Sequence, residues 1–241
     1  MSGHSKWSQI KRKKAVTDTK RGLMFTRLIR EITIASRLGG ADPEGNSRLR
    51  LAIETARKSS MPNDNIKRAI ARGSGDDGGS TLEELLYEAY GPGGVAIMIE
   101  VATDNRNRTI GDMRHLITKY GGNLGESGSV GWMFAKRGTI LIAKKDQSED
   151  KLLAIALEAG ADDLSTTDPD YYEVSTAPEQ FESVLKAITA AGIAIEEEKV
   201  GLMASTHTKI GGAEAEKVIK LLDALEENDD VQNVYSNAEF E

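Results

Sequence analysis

The chain has 241 residues, 39% of them hydrophobic and 29% charged, which is enough for one large domain or two to three small ones. Because it has no cysteine, disulfides and thiolate metal sites are excluded, and no apolar stretch follows the basic N-terminus, so we expect a cytoplasmic protein. The most apolar run, 95–102, is only as long as a strand and contains Glu100, so the sequence predicts no membrane span.

The net charge of -7 conceals an uneven distribution of charge along the chain. Residues 1–72, which we call the head, contain 17 Lys and Arg against 6 Asp and Glu. Residues 73–241, which we call the body, contain 14 Lys and Arg against 32 Asp and Glu. A basic head attracts polyanions and an acidic body repels them, although the two parts could instead neutralise each other across a domain interface.

Apolar residues in the head recur at spacings of three and four, which predicts three helices and no strand. The first should end at the glycines 39–40, and the second should cover about 48–59. The third should begin with Asn63 or Asp64 as its cap and end at Gly73. These helices predict a small bundle.

The segment 73–80, GSGDDGGS, contains no apolar residue, so we predict a flexible linker. It also matches G-x-G-x-x-G, the pattern of a dinucleotide-binding turn. Here the pattern follows a helix and contains two aspartates that would repel a pyrophosphate, which disfavours a nucleotide site.

The body shows strands alternating with helices. Strands 85–90 and 95–103 should form a hairpin, followed by a helix at 106–120 and a strand at 130–134. The stretch 139–205 has the order β-α-β-β-α-β of a ferredoxin-like unit. A helix at 213–227 and a strand at 231–235 should complete the sheet that begins at Leu85.

The predicted fold class is therefore α+β and multidomain. An N-terminal three-helix bundle is followed by two α/β sandwich-type domains, one of them ferredoxin-like and inserted in the other. The predicted divisions are a head at 1–72, a linker at 73–80, an α+β domain at 81–134 plus 206–241, and an inserted domain at 135–205.

The N-terminal arm and first helix are the candidate contact surface for nucleic acid. Cations can neutralise phosphates there, and the indole of Trp7 can stack on a base. On the first helix, cations at 20, 27, 30 and 37 share one face, opposite an apolar stripe, so the helix could dock while showing them outward. They could also form an ordinary solvated face. The predicted nucleic-acid-binding residues are Lys6, Trp7, Lys11, Arg12, Lys13, Lys14, Lys20, Arg21, Arg27, Arg30 and Arg37.

The loop 103–109 is a second candidate. Arg106 and Arg108 lie near a predicted helix N-terminus, where the helix dipole also favours anions, which suggests a secondary phosphate or partner contact. Capping of the helix by Asp104 or Asn105 would explain the same residues structurally.

Nothing in the sequence predicts catalysis. The three histidines are far apart, and neither H-E-x-x-H, G-x-S-x-G nor a G-K-[ST] phosphate loop occurs. We therefore expect no enzyme, no catalytic residue, no metal site and no cofactor; a hydrolase with a cleft between the two α/β domains is the disfavoured alternative.

A series of motifs resembles the YebC family, which includes the mitochondrial translational activator of cytochrome c oxidase subunit one. The motifs run through the whole chain in order: GHSKW at 3–7, KRG at 20–22 with FT at 25–26, LGG at 38–40, MP at 61–62, YGPGG at 90–94, DNRNRT at 104–109 and GGNLG at 121–125. The resemblance implies a cytoplasmic, non-enzymatic regulator with a helical N-terminal domain and two α/β domains. It implies either a probable transcriptional regulator that binds DNA or a ribosome-associated translation factor that relieves stalling at proline-rich stretches.

The sequence thus favours a nucleic-acid-binding regulator of gene expression, most simply a transcriptional regulator that binds DNA through its head. A translation factor bound to ribosomal RNA and a protein–protein adaptor remain alternatives. The acidic body would contact proteins of the ribosome or the transcription machinery, with no membrane partner. No helix-turn-helix or RNP pattern separates DNA from RNA as the target.

Overall fold

The computed structural model describes residues 18–75, 81–145 and 147–240, with side chains from residue 21 onward. The described chain divides into two compact units. The first contains residues 18–129 and 213–234, and the second contains 130–212 and 235–240. The described head and the first sheet lie together in the first unit, whereas the predicted ferredoxin-like stretch lies in the second. The division into three domains stays a prediction.

The head contains the three helices that the spacing predicts: α1 (Asp18–Gly39), α2 (Ser47–Lys58) and α3 (Asn63–Ser74). Asn46 caps α2, because its side chain accepts a hydrogen bond from the backbone N–H of Leu49. The apolar faces of the helices form one core, whose buried members are Ile32, Ala35, Leu49, Ala52, Ile53, Ala56, Met61, Ile66 and Ala69.

The start of α3 differs from the prediction. Pro62, and neither Asn63 nor Asp64, is the N-cap residue, and it makes no side-chain capping bond. The proline ring fixes its φ at -57°, so the chain enters α3 through this constraint and not through a polar side-chain cap. At the other end, α3 continues one residue past Gly73 and stops at Gly75, whose φ of 88° is the left-handed conformation typical of a helix end.

Helices α1 and α3 approach each other closely at Gly73. A Cβ placed there would lie 2.3 Å from the Thr33 carbonyl oxygen and 2.6 Å from the Ser36 Cβ. We expect Gly73→Ala to lower the free energy of unfolding by about 1–3 kcal/mol, because the overpacking exceeds the gain in helix propensity. Denaturant unfolding followed by circular dichroism measures this change.

Gly22 on α1 provides the matched control, because a Cβ there has no heavy atom within 4 Å. Gly22→Ala should therefore stabilise the helix by roughly 0.5–1 kcal/mol. If both substitutions stabilise the protein, the close approach of α1 and α3 at Gly73 is wrong.

The first sheet starts with the predicted hairpin. Strands β1 (Glu83–Tyr90) and β2 (Ala96–Thr103) pair antiparallel, with Tyr90 opposite Ala96, around a short 3-10 turn at Pro92–Gly94. Helix α4 (Arg106–Lys119) follows as predicted, and an additional strand, β3 (Asn123–Leu124), pairs with β1.

The second unit has the predicted β-α-β-β-α-β order. Its elements are β4 (Phe134–Ala143), α5 (Glu149–Glu158), β5 (Asp163–Ser165), β6 (Tyr171–Thr176), α6 (Phe181–Ala190) and β7 (Glu197–Ala204). The sheet order β5-β6-β4-β7 places the first and third strands in the middle, as a split β-α-β arrangement requires. A short strand, β8 (Thr208–Ile210), follows.

The strand predicted at 130–134 is wrong, and the first strand of the ferredoxin-like stretch begins before residue 139. Residues Gly131–Met133 form a 3-10 turn, and β4 runs without a break through Gly138. A glycine that follows Lys136 and Arg137 resembles a break between strands, but here it makes room for an aromatic ring. A Cβ at Gly138 would lie 2.4 Å from Cδ2 of Phe181.

The C-terminal segment returns to the first sheet, as predicted. Helix α7 (Gly212–Glu226) leads to β9 (Val231–Ser236), which lies beside β2 in the order β3-β1-β2-β9. The last strand, β10 (Ala238–Phe240), pairs in parallel with β8, a contact that the sequence did not predict. Within the described stretches, no helix combines the length and apolar character needed to cross a bilayer.

Candidate nucleic-acid interface

The predicted contact residues of the N-terminal arm lie outside the described part of the chain, so their role stays a prediction. They are Lys6, Trp7, Lys11, Arg12, Lys13 and Lys14. Lys20 lies on α1, but its side chain is also outside the described part. Arg21 and Arg37 are exposed, near the two ends of α1.

Arg27 and Arg30 do not point outward from α1 as predicted, because both contact the segment that joins α7 to β9. Arg27 donates a hydrogen bond to the carbonyl oxygen of Glu226, the last residue of α7. Arg30 donates to the carbonyl oxygens of Ala102, at 2.8 Å, and of Asp229. Burial lowers the pKa of the Arg27 guanidinium below its ordinary value. These two cations therefore hold the head against the first sheet, where one of them also neutralises the carbonyl end of a helix.

Asp230 is the centre of this contact. Its side chain is only 5% exposed, and it forms ion pairs of 2.9 Å with both Arg30 and Arg108. It also accepts hydrogen bonds from the hydroxyls of Thr109, at 2.7 Å, and Thr103, at 3.3 Å. Burial alone would raise the pKa of Asp230, but these hydrogen bonds and the two guanidinium charges together hold that pKa below its ordinary value.

The two arginines of the second predicted contact, Arg106 and Arg108, have different surroundings: Arg106 is exposed, whereas Arg108 forms ion pairs within the first unit. Arg108 pairs with Asp230 and with Asp104, at 3.1 Å, and these carboxylates raise the pKa of its guanidinium. Asn105 caps α4 by accepting from the backbone N–H of Arg108. Arg106 is exposed. A phosphate contact at this loop stays a prediction, and for Arg108 it would have to compete with the pair to Asp230.

Arg48 is another cation with an internal partner. It donates from Nε to Glu31 of α1 at 2.7 Å and from Nη1 to Glu84 of β1 at 3.2 Å. Both carboxylates raise the pKa of the guanidinium. Arg48 thus connects α2 to its neighbours, and its charge is neutralised within the first unit.

The described head exposes further cations that the sequence analysis did not select. The sequence pattern could have identified them, since these cations lie on the polar sides of α2 and α3, away from the apolar faces of those helices. Besides Arg48, the exposed cationic side chains of α2 and α3 are Arg57, Lys58, Lys67, Arg68 and Arg72.

The described residues contain no group of three or more His, Cys, Asp or Glu side chains arranged to hold a metal ion. Instead, the described head has exposed cations on the outer surfaces of its three helices. Such a surface can bind an anion or a polyanion without any bond being made or broken.

Two family comparisons cover the chain almost completely. Residues 5–76 match the family described as "TACO1/YebC protein N-terminal domain", and residues 82–238 match "TACO1/YebC second and third domain". The chain belongs to the TACO1/YebC family. The resemblance seen in the sequence is thus confirmed.

Full-length relatives of this TACO1/YebC protein carry a regulatory name. A "probable transcriptional regulatory protein" of Chloroherpeton thalassium is 56% identical over 240 residues, which are 100% of this chain and 96% of the relative. One from Pelotomaculum thermopropionicum is 53% identical over 243 residues and covers both chains fully. These names place the chain in a family of regulators.

A solved structure confirms the multidomain α+β fold. The crystal structure of a conserved hypothetical protein, Aq1575, from Aquifex aeolicus superposes with a TM-score of 0.88 at 47% identity, over 98% of this chain and 97% of that one.

Several of the motifs shared with the TACO1/YebC family occupy turns and helix ends. LGG ends α1, MP separates α2 from α3, YGPGG forms the hairpin turn, DNRNRT starts α4, and GGNLG forms β3 and its flanks. These motifs therefore position the elements, whereas the exposed cations of α2 and α3 belong to none of them.

Proposed function

We propose that this protein is a nucleic-acid-binding regulator of gene expression that binds DNA through its basic head. The observation that carries the proposal is the separation of charge, with 17 Lys and Arg against 6 Asp and Glu in residues 1–72 and the reverse excess in the body. Phosphate contacts by such a head supply sequence-tolerant affinity and steer association.

The geometry of the described head supports this proposal and changes its details. Arg27 and Arg30 bind the first sheet, so they are replaced as candidate phosphate contacts by exposed cations on α2 and α3, such as Arg57, Lys67 and Arg72. The arm residues 6–14 would add their five cations and Trp7, which could stack on an exposed base.

The acidic body would face the protein partners of this regulator in the cytoplasm. Carboxylates repel the phosphates that the head attracts, so the nucleic acid would contact the head and not the body. Acidic side chains exposed on β1, such as Glu83, are candidates for contact with basic surfaces of the transcription machinery or the ribosome.

Crosslinking in cells, followed by sequencing of the nucleic acid that purifies with the protein, tests the proposal. Recovery of promoter DNA is the expected result. Recovery of ribosomal RNA would show that the protein regulates translation instead of transcription. Recovery of no nucleic acid would support the alternative function of a protein–protein adaptor. A variant lacking the arm cations provides the control, since it should recover less of the same nucleic acid.

A further inference from the structure

An open cleft of about 700 Å³ lies in the head, beside the C-terminal ends of α1 and α3. This volume falls within the range of about 300–1,000 Å³ that is typical of ligand pockets. Two arginines line it, one from the last turn of each helix. The described lining residues are Thr33, Ser36, Arg37, Gly40, Ala41, Arg72, Gly73, Ser74, Gly75, Thr81 and Leu82.

Arg37 and Arg72 differ from the arginines that hold the first unit together. Arg27, Arg30 and Arg108 all bind carbonyl or carboxylate oxygens of the same unit. Among the residues that the structure describes, Arg37 and Arg72 have no hydrogen-bonding or ion-pairing partner, and both are exposed. Their guanidinium groups are therefore available to a ligand from outside the unit.

The helix ends do not need these two arginines as caps. The side-chain amide of Asn46 donates to the carbonyl oxygens of Ala35 and Gly40, each at 2.8 Å, and so caps α1. The backbone N–H of Gly75 donates to the carbonyl oxygens of Ala71 and Arg72 and so caps α3. The negative ends of the two helix dipoles amount to about half a charge each, and the described lining residues include no carboxylate, so their two guanidinium groups give this described lining an excess of positive charge.

The lining also indicates which part of a nucleic acid would enter. None of the described lining residues is aromatic, so this described lining offers no aromatic ring on which a base could stack. Hydroxyl groups and glycines surround the two arginines instead. Guanidinium groups bind phosphate oxygens with two parallel hydrogen bonds, which gives affinity without reading the sequence.

We infer that this cleft binds the phosphodiester backbone of a nucleic acid, with Arg37 and Arg72 as the phosphate ligands. This inference rests on the proposed function and assigns it a site. It places a backbone contact at the C-terminal ends of α1 and α3.

The double variant Arg37→Gln/Arg72→Gln tests the site. Binding of the full chain to a fluorescein-labelled oligouridylate and to a labelled DNA duplex is measured by fluorescence anisotropy over a series of salt concentrations. Loss of two charge-assisted contacts should weaken binding about a hundredfold at low salt. The plot of log K against log salt should become shallower by about 1.4 on the single strand and about 1.8 on the duplex.

The matched control is Lys145→Gln/Lys151→Gln, which removes the same charge from exposed positions of the body outside the cleft. If both double variants lose the same affinity, general attraction explains the binding and the site is wrong. The site is also wrong if the cleft variant binds like the wild type. If the wild type binds neither probe, the proposed function itself fails.

A variant that adds charge makes the test independent of any loss of folding. Ala41 is exposed and lines the cleft, so Ala41→Lys would place a third cation beside the two arginines. Its binding should tighten severalfold, and its salt slope on the single strand should steepen by about 0.7. An unchanged affinity in a folded Ala41→Lys protein would overturn the site.

Discussion

Replacing Asp230 with alanine should lower the free energy of unfolding by about 3 kcal/mol, the lower end of the cost of breaking a buried ion pair from one side. Arg30 is only 17% exposed and would lose its carboxylate partner inside the contact between α1 and β9. The hydroxyl of Thr109 would lose one of its acceptors as well. Arg108 is 47% exposed and can turn to water, which keeps the cost from being larger. Urea unfolding followed by circular dichroism measures the loss.

Asp229→Ala is the matched control for this prediction. The Asp229 side chain is exposed, and Arg30 contacts its backbone carbonyl oxygen, which the substitution keeps. We expect the control to change stability by less than about 0.5 kcal/mol, as surface substitutions usually do. Equal losses in the two variants would show that the carboxylate of Asp230 does not organise the contact.

The stabilisation by Asp230 should also depend on pH. Because its pKa is lower in the folded protein than the value of about 3.9 in an unfolded chain, the contribution is complete above that value. It is lost as the pH falls through the folded pKa, when the carboxylate takes up a proton. The difference in stability between wild type and Asp230→Ala should therefore be constant near neutrality and shrink below about pH 4.

The helices of the head could be predicted from the sequence, but the surroundings of α1 could not. A spacing of three and four residues identifies which side chains share a face, and the buried positions Ile32 and Ala35 match that pattern. The pattern does not show that α1 is covered from a second side. Ile34 packs there against Leu82 and Ala102, and this second contact removes Arg27 and Arg30 from the solvent.

The ion pairs and hydrogen bonds around Asp230 could not be predicted from the sequence, for a related reason. Its partners come from three segments that are far apart in the chain, near residues 30, 103–109 and 230. Local patterns carry no information on which distant strand ends meet. Predicting β9 as a partner of the first sheet brought Asp230 to the correct edge, but not its ion pairs.

Removing the arm cations should produce the largest change in nucleic-acid binding. If Lys11, Arg12, Lys13 and Lys14 each neutralise one phosphate, the fourfold change to Gln releases four fewer counterions. The salt slope should then become shallower by about 2.8 on single strands or about 3.6 on duplex DNA, with the helical content unchanged. Anisotropy titrations over a salt series measure the slope, and circular dichroism measures the helicity.

The control removes four exposed lysines of the body instead: Lys145, Lys151, Lys209 and Lys217. It changes the net charge by the same amount, but these side chains lie outside the head, so the slope should stay at the wild-type value. A second comparison, Arg27→Gln/Arg30→Gln, should lower the unfolding midpoint more than the slope, because both arginines bind carbonyl oxygens of the first unit. A wild-type slope in the arm variant would exclude the arm as the contact surface, and the cleft between Arg37 and Arg72 would then have to supply the phosphate contacts alone.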